Sequence, residues 1–236
     1  MTPAIALHGI GGSAGLWAAV PMPLTAWDQP GYGGTPLPER LDFAGLADAL
    51  VGFLDACGIA RADLVGHSMG GMIALEAALR HPARVRRLAL VATTPAFGGR
   101  DPSFAEAFLR DRLAPLDAGG TMADSAAGLV RGLFGPDATP AMQAAARQAM
   151  AQVPEATYRA TLRCLTSFDR RDALPRVTQP TLCIAGAQDA TAPERTMRRM
   201  AEAIPAARML VLPTGHMPQL EAPQALADAL RAFFEE

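Results

Sequence analysis

The chain of 236 residues is half apolar and 19% charged with a formal charge of −2, a balance that fits one large α/β domain with a sizeable core. That charge gives no reason to expect nucleic acid or an acidic membrane surface as partner. No run of about 18 apolar residues is present to span a membrane. All 21 basic residues are arginine; without lysine, Schiff-base chemistry, a pyridoxal phosphate anchor, a Walker-type phosphate site and the Tyr/Lys pair of short-chain dehydrogenases are excluded.

The first expected strand, Ala4–Leu7, runs into Gly9, Gly11, Gly12 and Gly15, and the second, Leu24–Trp27, ends on Asp28. Taken alone, this has the outline of a dinucleotide-binding βαβ unit, with glycines for a pyrophosphate and an acid for a ribose. A helix follows at Phe43–Cys57 with Gly58 as its C′ residue, then strand Asp63–Val65, helix Met69–Arg80 and strand Leu88–Ala92. From Pro95 to Arg176 the rhythm breaks. Here we expect only helices, at Ser103–Ala114, Thr121–Phe134, Pro140–Gln152 and Glu155–Phe168, with Phe104, Phe108, Leu133, Phe134, Met142 and Met150 read as packing. Strand Thr181–Ala185, helix Pro193–Ala203, strand Met209–Leu212 and helix Pro223–Phe234, with Pro223 at N1, complete the chain. The alternation predicts an α/β fold: a mostly parallel sheet with helices on both faces, built from 1–94 and 177–236. Residues 95–176 are expected to form a helical lid over the sheet's carboxyl edge.

Cys57, Cys164 and Cys183 lie far apart and outside any CxxC pair, so they read as reduced thiols of a cytoplasmic protein. No signal peptide is expected, since the start has neither a basic region nor a long apolar run.

The most informative stretch is "LVGHSMGGMIAL", in which a strand passes through Gly66-His67-Ser68-Met69-Gly70 directly into a helix. This G-x-S-x-G context is a nucleophile elbow: the turn is too sharp for side chains at Gly66 and Gly70, and it lifts the Ser68 hydroxyl out at a helix N-terminus. Serine needs a base oriented by a carboxylate. Of four histidines, His8 sits in the glycine loop, His67 adjoins the serine, and His81 ends a helix whose dipole it complements. His216, on the loop after the last strand, is left as the base. Asp189, after the strand "TLCIAG", is the expected acid, ahead of Asp101 and Asp169 in the insertion; the turn after Ala92 holds Thr93 and Thr94 instead. The order Ser68, Asp189, His216 suits this architecture. A dinucleotide reading would leave all three unexplained.

With HG-x-G-G-S, D-x-P-G-Y-G-x-T, G-H-S-M-G-G, H-P-x-R-V-x-x-L, G-x-x-D and a final G-H in order, the chain resembles the α/β-hydrolase-fold serine hydrolases along nearly its whole length. The resemblance implies an oxyanion hole formed by the Ile10 and Met69 backbone N–H groups, and a structural role for Asp28. It further implies acyl transfer from a small-molecule ester or lactone to water, with no cofactor and no metal. Serine at the elbow argues against dehalogenases and epoxide hydrolases, and His67 before it resembles esterases, lactonases and cofactor-free haloperoxidases. "GHSMGGMIALEAALRHPARVRRLAL" and "YRATLRCLTSFDRRDALPRVTQPTL" are similar to 3-oxoadipate enol-lactonases, which implies a substrate carboxylate; Arg131, Arg159 or Arg163 could bind it from the lid, though most of them read first as solvated helix-surface arginines. A carboxylic-ester hydrolase is the first expectation and an enol-lactonase the second. A receptor or scaffold that retains the triad is the alternative of another class. Relative to that family the first helix is expected to be trimmed between Trp17 and Asp28, and the sheet edge near the first strand to be open for pairing.

Overall fold

The computed structural model describes residues 2–98 and 102–236. In chain order its elements begin with β1 (Ala4–Leu7), β2 (Thr25–Trp27), α1 (Phe43–Ala56), β3 (Ala62–His67), α2 (Met69–Arg80) and β4 (Val85–Val91). Then come α3 (Pro102–Asp117), α4 (Met122–Leu129), α5 (Pro140–Ala151) and α6 (Glu155–Thr166), and finally β5 (Thr181–Gly186), α7 (Glu194–Ala203), β6 (Ala207–Leu212), α8 (Pro218–Glu221) and α9 (Pro223–Glu235). The strands form one wholly parallel sheet in the order β2-β1-β3-β4-β5-β6.

Alternate residues of each strand enter two different cores. Ile5, Leu7, Leu88 and Leu90 pack with α1, α2 and α7, whereas Ala6, Ala89 and Val91 pack with α9 and a short 3-10 turn at Ala14–Ala19. Both faces of each strand are therefore apolar, which is why the strands read as plain aliphatic runs. That 3-10 turn, six residues long, is the only helical segment between β1 and β2 among the described residues. The edge beyond β1 is formed by β2, and at three residues it is too short to template much pairing.

Helix ends follow local chemistry. Asp42 accepts from Gly45 N–H at 2.8 Å to start α1, and Gly58 (φ +69°) closes it, with Gly58 N–H on Asp55 O and Ile59 N–H on Leu54 O. Thr121 and Asp124 form a reciprocal capping box at α4. The helix expected over Thr121–Phe134 is α-helical only to Leu129 and continues as a 3-10 turn through Leu133.

Between β4 and β5 the described residues hold no strand, only an isolated bridge from Ala96 to Asp169. Helices α3–α6 build a third apolar cluster of their own, joined from outside by Leu16, Tyr32, Met217 and Leu220. No helix among the described residues is long and apolar enough to cross a membrane.

The strand order places the site. The chain leaves β1 toward β2 on one side, and leaves β3 toward β4 on the other. The loops after β1 and β3 therefore diverge and open a crevice at the carboxyl ends of the strands.

Candidate active site

Ser68 occupies the turn between β3 and α2 at φ 52°, ψ −120°, a backbone conformation that costs a residue with a side chain about 1–3 kcal/mol. The surroundings hold it there. Ser68 N–H donates to Val91 O at 2.9 Å, and the Thr93 hydroxyl donates to Ser68 O at 2.7 Å. A Cβ on Gly66 would lie 2.6 Å from Gly71 Cα, and one on Gly70 would lie 2.7 Å from His8 O, so both glycines are required by backbone contact. Serine at a helix N-cap usually caps its own helix; Ser68 makes no such bond, which leaves its hydroxyl for another partner.

That partner is His216. The Ser68 hydroxyl lies 3.1 Å from His216 Nε2, and His216 Nδ1 lies 2.8 Å from Asp189 Oδ2. His216 and Asp189 are both buried. The second Asp189 oxygen accepts from Thr191 N–H at 2.7 Å and Ala192 N–H at 2.9 Å. Burial pushes the Asp189 carboxyl up, but the His216 hydrogen bond and charge and those two amides outweigh it and hold the group below its ordinary range. The three side chains come from the carboxyl ends of β3, β5 and β6. Asp169 is bonded by Arg171 Nε at 3.0 Å and is not the partner of His216; Asp101 lies outside the described residues.

His67 holds the histidine loop from below. Burial first, and then repulsion by His216, lower its pKa to about 3, so its ring is neutral near pH 7. It donates from Nε2 to the His216 carbonyl at 2.6 Å, while Gln219 donates to Nδ1 at 3.4 Å. His81 sits at the end of α2 and bonds Asp48 at 2.6 Å. Burial holds His8 below its ordinary pKa, and Gln29 grips its carbonyl at 2.8 Å. Asp28 accepts from Ala14 N–H at 2.8 Å and lies 3.4 Å from His8 Nε2, which fixes the glycine loop rather than any ribose.

A second clamp on the histidine loop had no signal in the sequence. Glu221 accepts from Gly215 N–H at 3.0 Å, Met217 N–H at 3.1 Å and Gly135 N–H at 2.7 Å. His216 N–H itself donates to Leu133 O at 2.7 Å. The histidine loop is thereby bonded to the insertion as well as to the sheet. Gly135 lies 86 residues from Glu221, and α8, which carries Glu221, is a single turn.

Ser68 and His216 open into a cavity of about 140 Å³, room for about ten water-sized groups. Gly9, Ile10, Gly11 and Gly12 form one wall, and a Cβ on Gly9 would lie 2.9 Å from Ser68 Cβ. Ile10 N–H and Met69 N–H donate to no described residue; Met69 opens α2, where leading amides lack intrahelical acceptors. Phe108, Leu133 and Met150, expected as packing, line the cavity, whereas Phe134 and Met142 pack in the insertion and Phe104 is exposed. Arg131, Arg159 and Arg163 do not line it, in keeping with the solvated reading. Arg131 and Arg163 are exposed, and Arg159 bonds Glu155 at 2.7 Å and Asp117 at 2.6 Å. Arg112 lines the cavity instead, on the same α3 as Phe108. No cluster of three His, Cys, Asp or Glu suited to a metal occurs among the described residues.

A family model described as "alpha/beta hydrolase fold" matches residues 3–223. The chain is 34% identical over 223 residues to a Variovorax paradoxus protein named "Putative carbamate hydrolase RutD", covering 88% of this chain and 81% of that one. It is 31% identical to the pimeloyl-[acyl-carrier protein] methyl ester esterase of Chromobacterium violaceum, covering 98% and 93% of the two chains. Among solved structures, the enol-lactonase from Burkholderia xenovorans LB400 superposes with a TM-score of 0.90 at 26% identity, over 100% of this chain and 92% of that one.

Proposed function

The chain belongs to the α/β-hydrolase fold family, and on that premise we propose that it is a serine hydrolase cleaving a small carboxylic ester or lactone through an acyl-enzyme on Ser68. The observation that carries this reading is the unbroken line Asp189–His216–Ser68, with the serine hydroxyl facing a largely apolar cavity. His216 Nε2 takes the Ser68 proton as the oxygen attacks the carbonyl carbon. Asp189 fixes the Nδ1–H tautomer and stabilises the imidazolium that forms. The oxyanion settles between Ile10 N–H and Met69 N–H, each worth roughly 3 kcal/mol of barrier. His216 then returns the proton to the leaving alkoxide, and a water it deprotonates releases the acid. In this reading residues 95–176 act as the cap that shapes the acyl chamber, no cofactor takes part, and the enzyme is cytoplasmic, a compartment in which the free thiols of Cys57, Cys164 and Cys183 would stay reduced.

The enol-lactonase neighbour favours a second, narrower reading in which the substrate is an enol-lactone. The test begins with a fluorophosphonate probe and mass spectrometry, Ser68→Ala serving as control. Adduct confined to Ser68 supports the hydrolase. A panel of p-nitrophenyl esters, lactones and carbamates then separates ester, lactone and carbamate cleavage. Folded protein that takes no label turns the assignment toward a small-molecule receptor retaining the triad.

A further inference from the structure

Of the described side chains lining the cavity, Arg112 alone carries a permanent charge, and Met72, Leu129, Val130 and Leu165 are among the apolar residues that line it with Ser68. A guanidinium beside apolar walls is costly unless its donors are used. Arg112 has no carboxylate partner among the described residues, and unlike the exposed, equally unpaired Arg131 and Arg163 it borders the cavity. Its contacts are the Phe108 ring, whose centroid is 5.2 Å from the guanidinium carbon, and the Tyr158 hydroxyl. Stacking on Phe108 uses the face of the guanidinium and none of its five N–H donors, and Tyr158 leaves most of them free. The fork is thus oriented, partly shielded from water and unsatisfied by the protein, the condition under which arginine receives a carboxylate through two parallel bonds.

We propose that the substrate of this site carries, besides its scissile ester or lactone carbonyl, an anionic carboxylate joined to it through a short apolar chain, and that Arg112 binds that carboxylate while the carbonyl lies at Ser68. The proposal rests on the hydrolase reading above and narrows its substrate class. Arg112 is a specificity residue here. It takes no part in proton transfer or in stabilising the oxyanion. Tyr158 assists by holding the guanidinium toward the cavity.

The test compares monomethyl esters of glutaric, adipic and pimelic acids with methyl alkanoates of matching length, following methanol release. At least one anionic ester is expected to exceed its neutral counterpart in kcat/KM by about 10- to 100-fold, the range of a charged hydrogen-bonded pair. In Arg112→Met that ratio collapses toward one, with most of the change in KM, and Arg112→Lys restores part of it. A wild-type enzyme that turns over the neutral esters as well as the anionic ones overturns this inference and leaves the hydrolase reading intact. If no ester is turned over and Ser68 takes no probe, calorimetry of the same esters on the wild-type protein decides the matter separately. Tighter binding of the anionic series that Arg112→Met abolishes supports the arginine site without a hydrolase, and equal binding of both series overturns it.

Discussion

Replacing Glu221 by alanine removes one carboxylate and strands three backbone N–H groups, those of Gly135, Gly215 and Met217. The group is half-buried, so water reaches part of the gap, and about 1 kcal/mol net per bond is taken, below the roughly 1.5–3 kcal/mol of a charged hydrogen bond. Three bonds give about 3 kcal/mol, which in a chain of this size lowers Tm by about 6–12 °C. Glutamine separates charge from shape. Its one oxygen can replace Oε2, which serves Gly135 and Gly215, but its NH2 group then opposes Met217 N–H, so about a third to a half of the loss is expected. The kinetic effect follows from what remains: His216 stays tied to Leu133 O and His67 Nε2, yet its neighbours on both sides are released. A shift of about 1 Å at the base costs about 100-fold in rate. Calorimetric Tm and the rate of fluorophosphonate labelling, measured on wild type, Glu221→Gln and Glu221→Ala, check both parts. A lower Tm with an unchanged labelling rate would show that the clamp holds the insertion but not the histidine, and the reasoning would fail.

Other perturbations have equally definite outcomes. His67 titrates near 3 when folded and near 6.5 when unfolded, so its contribution is complete above about pH 6.5. The loss approaches about 1.4 kcal/mol per pH unit between these two values and amounts to roughly 4 kcal/mol by pH 3. Urea midpoints between about pH 7 and pH 4 should fall less steeply for His67→Gln than for wild type, and parallel curves would sink the assignment. Ser68→Gly releases the positive-φ strain that Ser68→Ala retains, so the glycine variant should be more stable by about 1 kcal/mol; equal Tm values would contradict this. Gly70→Ala drives a methyl into the backbone of Leu7 and His8 and should cost about 3 kcal/mol, read from its urea midpoint and soluble yield.

Sequence alone shows much of this molecule, for local reasons. β1 and α2 have the expected bounds because aliphatic runs and helical spacing decide them. β3 extends past the expected Val65 because Gly66 and His67, which look like turn residues, still pair with Leu90 and Val91 of β4. That Ser68, Asp189 and His216 come within hydrogen-bonding reach was legible because each closes or follows a recognisable strand. What faces what across the insertion was not. The Arg159–Glu155 pair is local helix spacing, but that Arg159 also reaches Asp117, and that Arg112 of α3 meets the cavity, depends on how the helices pack. The role of Glu221 depends on an amide 86 residues away, a pairing no local pattern encodes.

The separate apolar cluster of α3–α6 bears on how such a chain can change over time. One wall of the cavity is built from residues packed among themselves, and the other from residues packed on the sheet. Substitutions accumulating in the helical cluster can reshape the cavity without disturbing the cores that hold Ser68 and Asp189 in place. Met217 and Leu220 break this independence, since they flank the histidine loop and sit inside the helical cluster. Change in the cavity's shape is therefore least disruptive at positions remote from those two side chains, and a lineage that alters them must adjust the His216 loop and the cavity together.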